Sequence, residues 1–344
     1  MKILFVGNET PNYIHKKFGD SVDADFYGYD QSSLKNILAE LKKIPKGYDI
    51  YLTEGLFNYV LLARTLGFLD KKARVINIFA DPRLFYLKYD KQFDFNANKI
   101  KKLNCFKRMF KRYFIKKLDG AMVEGDFQKL LFKGFAENIN SKIFYPFMKD
   151  NTFFDVSTPL KEDNLLFVGN GPDYYVKGID YLLDIFPRIL KENPKTKLFI
   201  IGGDLEKFIE RREKQPNVVF LGKQDVRGIK KTMSKCSLYC HFGRVEAFGV
   251  STLESMAAGI PCIVSKFTGV GEVVKKVDEN FVIDIEDKEK VIKKILEYFA
   301  KDVKEKRKLG KMFQGEARFF NENNCLGIFR KEFKDLVGEI DNGK

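Results

Sequence analysis

The chain has no tryptophan, two histidines and five scattered cysteines in 344 residues. Without tryptophan, the aromatic part of the core falls to 34 phenylalanines and 15 tyrosines. Cys105, Cys236, Cys240, Cys262 and Cys325 are odd in number and widely spaced, which excludes a disulfide framework and fits a reducing compartment. Only Cys236 and Cys240 are close, and no second pair or histidine cluster accompanies them. They read as buried thiols rather than zinc ligands. No stretch of 18 or more apolar residues occurs, so no transmembrane helix is expected. Met1 to Gly7 is too short for a signal peptide and is followed by polar residues; it reads as a first buried strand in a cytoplasmic protein.

Acid is also in short supply. Sixty-one Lys and Arg against 47 Asp and Glu leave a net charge of +14, which favours anionic partners. The excess is uneven: residues 99–117 hold nine Lys or Arg and no acid. Ile100, Leu103, Phe106, Met109, Phe110, Tyr113 and Phe114 recur there at helical spacing, as in a basic amphipathic helix. Two readings stand, a surface helix with a solvated basic face and a platform for an anionic membrane surface. No recognition motif accompanies the charge, so nucleic acid is not expected as a partner.

Strand and helix signals alternate through both halves of the chain. In the first, apolar runs at 3–6, 49–52, 75–79 and 120–123 alternate with helical periodicity at 34–41, 57–66 and 128–132. A polar, irregular stretch from about 147 to 164 suits a linker. The pattern then restarts, with strands at 165–168, 198–201, 217–221, 238–240 and 262–264 and helices at 181–190 and 229–233. The expected architecture is α/β, two Rossmann-like doubly wound domains facing across a cleft. The expected boundaries are 1–150, 151–315 and a helical tail, 316–344, packing back on the first domain.

The densest chemistry lies in Glu246-Ala247-Phe248-Gly249-Val250-Ser251-Thr252-Leu253-Glu254, which leads into Ser255-Met256-Ala257-Ala258-Gly259-Ile260-Pro261. Gly249 permits a sharp turn. Ser251 and Glu254 have the spacing of a capping box, which predicts a helix starting near Ser251. The amides of Phe248, Gly249 and Val250 then lie at a helix amino end, where phosphate binds. Carboxylates beside a phosphate are better placed on flanking hydroxyls, and hydroxyls on either side of a diphosphate are what a nucleotide-sugar presents. The competing reading makes Glu254 a helix cap and Glu246 a solvated loop residue. A second constellation, Gly169-Asn170 followed by Lys177-Gly178, ends a strand at glycine and puts a lysine just before a helix, within reach of a diphosphate. It lacks the third glycine of a dinucleotide fingerprint, which argues against a dehydrogenase.

The segment from Phe242 to Val274 resembles the donor-site signature of the group 1 retaining glycosyltransferases, which have the GT-B fold. Their Glu-x7-Glu pattern stands here as Glu246 to Glu254, followed by Ser-Met-Ala-Ala-Gly-Ile-Pro, and a later glycine-rich element is echoed by Thr268-Gly269-Val270-Gly271-Glu272. The resemblance implies a metal-independent enzyme that moves a hexose-type sugar from a nucleotide-diphosphate sugar, used as co-substrate with no other cofactor, to an acceptor hydroxyl in glycan or glycolipid assembly. It implies that Glu254 holds ribose hydroxyls and that Glu246 contacts the donor sugar. Lys177 would neutralise the diphosphate, and the amides of Phe248, Gly249 and Val250 would serve phosphate and sugar. Gly7 and Gly169 would allow close approach, and backbone near Gly222 would frame the base.

Three departures bear on this. Asn170 replaces a frequent arginine, with Arg244 the candidate substitute cation. Phe242-Gly243 replaces Pro-Ser. Asp81 stands near the place of a frequent histidine, either as a catalytic acid facing the acceptor hydroxyl or the donor sugar or as a turn residue before Pro82. Of the two histidines, His15 reads as a surface residue and His241 as a buried, hydrogen-bonded one. Asp23-Ala24-Asp25 reads as surface acid beside an edge strand, and no metal site is expected. A nucleotide-sugar epimerase, a phosphorylase of the same fold and a non-catalytic sugar-nucleotide-binding protein remain as alternatives.

Overall fold

The structure, a computed structural model, describes residues 1–29, 37–80, 113–169, 174–203 and 215–342. Asp81, Asn170, Cys105 and residues 99–112 of the basic stretch lie outside the described residues. The described residues up to 147 together with 322–342 form one unit, and those of 148–321 form another.

Six parallel strands build the first unit: β1 (Ile3–Asn8), β2 (Asp25–Tyr29), β3 (Ile50–Glu54), β4 (Arg74–Phe79), β5 (Gly120–Glu124) and β6 (Ser141–Phe144), in the order β2-β1-β3-β4-β5-β6. The central strands are apolar runs because both faces of a parallel sheet are covered. Helices α1 (Tyr13–Ser21), α2 (Ile37–Lys43), α3 (Phe57–Thr65) and α4 (Gly125–Phe135) follow strands. Phenyl rings do the work that tryptophan would share: Phe18 meets Phe144, Phe147 and Phe329 with centroids 4.6–5.8 Å apart.

The second unit repeats the plan with β7 (Leu165–Val168), β8 (Leu198–Ile201), β9 (Val218–Phe220), β10 (Leu238–His241), β11 (Cys262–Ser265) and β12 (Val282–Ile283), all parallel, in the order β12-β11-β10-β7-β8-β9. Its helices are α5 (Ile179–Glu192), α6 (Val226–Met233), α7 (Val250–Ala257), α8 (Gly271–Val277), α9 (Lys288–Phe299) and α10 (Val303–Ala317). The last helix, α11 (Glu322–Asn342), returns to the first unit and packs on α1, β5 and β6. Among the described residues no helix is long and apolar enough to cross a membrane.

The cysteines at 236, 240, 262 and 325 are free and buried, as expected. Asp25 sits on the edge strand β2 and accepts a hydrogen bond from Tyr48 at 2.9 Å, a surface role as expected. His15 is not a surface residue: it is 6% exposed, at the start of α1, and pairs with Glu54 at the end of β3. Burial pushes its imidazole down, but the Glu54 carboxylate more than compensates and raises its pKa. The Ser251–Glu254 capping box does not form. The helix starts at Val250 on Gly249, whose φ of 103° makes it the cap without a side-chain bond.

Candidate functional site

In an open parallel sheet, ligands bind beyond the carboxyl ends of the strands where the strand order reverses. In the second unit that point lies between β7 and β10. The segment after β7 carries Gly169 and Lys177, and the segment after β10 carries Arg244, Glu246 and Gly249. Both constellations singled out in the sequence therefore meet at one place.

What brings them together is backbone. Arg244 N donates to Val176 O at 2.8 Å, stitching the two segments side by side. Glu246 N donates to Phe267 O at 3.0 Å, Gly269 N to Glu246 O at 3.1 Å and Val270 N to Phe248 O at 2.8 Å. The Thr268-to-Glu272 element thus braces the strand of chain that holds Glu246. Ser251, freed from capping, shares a 2.9 Å hydrogen bond with the Tyr239 hydroxyl and also lies within 3.3 Å of Val168 O, which ties α7 to β7 and β10.

Within this frame Lys177 Nζ donates to Glu246 Oε2. The pair is largely enclosed, with side chains 26% and 15% exposed. Burial pushes the Glu246 carboxyl up, but the lysine charge and the facing His241 outweigh it and hold its pKa well below the ordinary carboxylate range. Glu246 is thus an ionised, oriented carboxylate and not a proton donor. His241 is 1% exposed; its Nε2 lies 3.6 Å from Glu246 Oε2 and its Nδ1 lies 3.5 Å from the Tyr239 hydroxyl. Burial pushes its pKa down, and the Glu246 carboxylate restores only part of that, so the imidazole is neutral at physiological pH. The expectation of a buried histidine holds. Only four residues lie between His241 and Glu246, yet nothing in the sequence signals that their side chains meet.

Arg244, the candidate substitute cation, is already paired in the structure. Its guanidinium makes a two-point pair with Asp180 at 2.8 and 3.1 Å and donates to Tyr175 O at 2.5 Å. It also stacks 3.8 Å above the Tyr175 ring. A bidentate carboxylate neutralises it, and through these contacts it pins the start of α5 and the residues before it to the segment after β10. Neither Asp180 nor Tyr175 was singled out in the sequence, because an acid in a first helical turn is common.

Glu254 lies one turn into α7. Burial, reinforced by the charge of Asp150, raises its carboxyl from 4.5 to about 7. Phe248 turns its ring into the core against Phe320, centroids 5.4 Å apart, leaving the backbone of 248–250 at the helix start. Gly222, at φ 64°, follows β9, and its carbonyl accepts from Gly202 N at 2.9 Å; Gly169 N donates to Ile201 O at 2.9 Å. Gly7 lies in β1 of the first unit.

The protonation of Glu254 makes a testable prediction. A carboxyl whose folded pKa is raised stabilises the fold fully below its unfolded value near 4.5, and that contribution is lost as pH rises to 7. Ionisation above pH 7 then costs roughly 3 kcal/mol. Glu254→Gln should raise the melting temperature at pH 8 more than at pH 5. A Tm difference that does not grow with pH would contradict the raised pKa.

Residues 148–313 match the family model described as glycosyl transferases group 1. The second unit belongs to that family. A phosphatidylinositol N-acetylglucosaminyltransferase gpi3 subunit of Schizosaccharomyces pombe is 35% identical over 106 residues, covering 29% of this chain and 23% of that protein. A phosphatidyl-myo-inositol mannosyltransferase of Mycobacterium tuberculosis is 27% identical over 132 residues, covering 37% of this chain and 34% of that protein. The chain thus matches about a third or less of these relatives' length. Sucrose-phosphate synthase from Thermosynechococcus elongatus superposes with a TM-score of 0.73 at 13% identity, covering 98% of this chain and 100% of that one. Two six-stranded parallel sheets with this likeness are the GT-B fold.

Proposed function

We propose that the protein is a retaining, metal-independent glycosyltransferase acting on a nucleotide-diphosphate sugar. The observation that carries this is the ion pair of Lys177 with Glu246 at the switch point, one helix start away from the half-buried carboxyl of Glu254. A lysine there meets the diphosphate, an oriented carboxylate meets sugar hydroxyls, and Glu254 meets ribose hydroxyls. The reaction breaks the bond from the anomeric carbon to the diphosphate oxygen and forms a bond from that carbon to the acceptor oxygen. The acceptor's proton passes to the leaving diphosphate on the same face. Lys177 and the amides at the start of α7 stabilise the charge that develops on the leaving group, and Glu246 fixes the sugar for attack.

A thermal-shift panel of nucleotide-sugars tests the donor, since a ligand bound only by the folded state raises Tm. NMR of the product's anomeric centre tests retention. A stabilising nucleotide-sugar and a product of unchanged anomeric configuration are expected; an inverted product would end the retaining reading. A product formed without acceptor would favour an epimerase.

For the acceptor we take a hydroxyl of a glycan or glycolipid, which the names of the two relatives support. The basic stretch 99–117 is the part of the sequence suited to a cytoplasmic face rich in anionic lipid. Charge reversal at Lys107, Arg108, Lys111 and Arg112 should weaken sedimentation with phosphatidylglycerol-containing vesicles. Failure of the unaltered protein to bind those vesicles would remove the membrane-surface proposal.

A further inference from the structure

His241 presents an unusual surplus. Its Nε2 is fully buried and has no hydrogen-bond partner among the described residues. An orphaned buried donor costs roughly 1–3 kcal/mol, and folds keep few of them without a use. The ring is firmly held. It stacks on Phe167 with centroids 5.8 Å apart and planes at 16°, and its Nδ1 faces the Tyr239 hydroxyl. With the Ser251 hydroxyl donating to the Tyr239 oxygen, the Tyr239 proton is free to go to Nδ1, and in that tautomer the proton of the neutral ring sits on Nε2. Nε2 lies 3.6 Å from Glu246 Oε2, just beyond hydrogen-bonding distance.

The chain has also made room for this ring. A Cβ on Gly243 would stand 2.8 Å from His241 Nε2. Any larger residue at 243 would crowd the imidazole away from its present place, so the Phe242-Gly243 departure and the histidine belong together.

Meanwhile Glu246 has Lys177 as its cation. On the function proposed above, that lysine has a second duty, because an arriving diphosphate competes for it. When Lys177 turns to phosphate, Glu246 would be left as a buried carboxylate without a partner, which is costly.

We propose that His241 is the positioning residue that takes over Glu246 when a diphosphate draws Lys177 away. A shift of a few tenths of an ångström closes the Nε2–H···Oε2 hydrogen bond and keeps the carboxylate ionised and aimed at the sugar. The groups facing His241 are the Glu246 carboxylate, the Lys177 ammonium and the Tyr239 hydroxyl. Removing the ammonium strengthens the remaining attraction between imidazole and carboxylate. This inference rests on the diphosphate reading of the site, and the experiment separates the two.

The chain has two histidines, so imidazole spectra of the full-length protein labelled with 15N-histidine resolve both rings, and His15 serves as the internal control. In Lys177→Met, without any ligand, the His241 Nε2–H signal should move downfield as the hydrogen bond forms. Saturating inorganic pyrophosphate should produce the same movement in the unaltered protein, so the test survives if Lys177→Met fails to fold. His15 should move in neither case. His241→Phe should be at least as heat-stable as the parent, because the orphaned donor is gone. Yet its turnover should fall by roughly tenfold to a hundredfold, the worth of one hydrogen bond to a charged group, at nearly unchanged donor KM. His241→Gln, which keeps a donor at the same reach, should restore most of that loss.

No movement of His241 in folded Lys177→Met overturns the proposal whatever pyrophosphate does. Movement in that variant but none with pyrophosphate shows that the contact can form but that diphosphate does not trigger it, which overturns the proposal together with the donor reading. Full turnover in His241→Phe overturns the positioning role. Spectra that behave as expected in a protein without transfer would leave the exchange of partners standing and count against the enzymatic reading alone.

Discussion

Glu246→Gln is expected to lower transfer by about a thousandfold or more, the range seen when a preorganised electrostatic group is removed from a reacting centre, while leaving pyrophosphate affinity intact or tighter. The amide keeps the shape of the carboxylate, so packing is not at issue. What it removes is the charge that, on the proposed function, holds the donor sugar, and the charge that occupies Lys177. In the unaltered protein a diphosphate has to detach Lys177 from Glu246 before it can use the ammonium; in the variant it does not. Transfer followed with the donor found in the nucleotide-sugar panel, beside calorimetry with inorganic pyrophosphate, reads the two effects separately. Unchanged transfer would remove Glu246 from the chemistry. Weakened pyrophosphate binding would show that carboxylate and diphosphate do not compete for the lysine. Lys177→Met should behave in the opposite way, losing pyrophosphate binding and also stability. The pair keeps the Glu246 pKa below 4.5, so its stabilising contribution is present above pH 4.5 and fades as pH falls. The methionine variant loses it throughout.

Much of this arrangement could be read from residue order, and what could not has physical reasons. The central strands β1, β3, β4, β7, β8, β10 and β11 announce themselves because burial on both faces demands unbroken apolar runs. The edge strands β6 and β12 do not: Ser141-Lys142-Ile143-Phe144 is half polar, since one side has no neighbour, and Val282-Ile283 is two residues long. The glutamate pair and Lys177 were legible as motifs, but only the sheet order shows that they converge. The capping pattern misled at Ser251, where a left-handed glycine took the cap and the serine hydroxyl found the Tyr239 hydroxyl and the Val168 carbonyl instead. The same pattern is real at Asp302 and Glu305, where both reciprocal hydrogen bonds form at the start of α10. Arg244 shows a related limit of the sequence. A charged residue beside a motif looks free in the sequence, and only the fold reveals that Asp180, 64 positions away, has already claimed it.

Convergence of the two segments has its own weak point in Gly178, and Gly178→Ala is expected to be among the most damaging single substitutions in the second unit. Gly178 sits between Lys177 and α5 with φ at 75°, in the left-handed region where a side chain costs roughly 1–2 kcal/mol. Its α-carbon also faces the Phe242 carbonyl so closely that a Cβ would overlap the oxygen, and backbone on both sides leaves nothing flexible to yield. Strain and overlap together should cost roughly 3–5 kcal/mol, a Tm loss on the order of 10 °C for a unit of this size. The functional consequence follows from position. The Arg244 N to Val176 O hydrogen bond and the Arg244–Asp180 pair both span the contact that Cβ would wedge apart. The same wedge moves Lys177 away from Glu246, so protein that remains folded below its lowered Tm should bind pyrophosphate more weakly than the parent. Calorimetric melting and pyrophosphate titration at 15 °C check the two parts. A stable Gly178→Ala with parental pyrophosphate affinity would mean that the segments do not need this close approach, and the account of how the fold assembles the Lys177–Glu246 pair would fall with it.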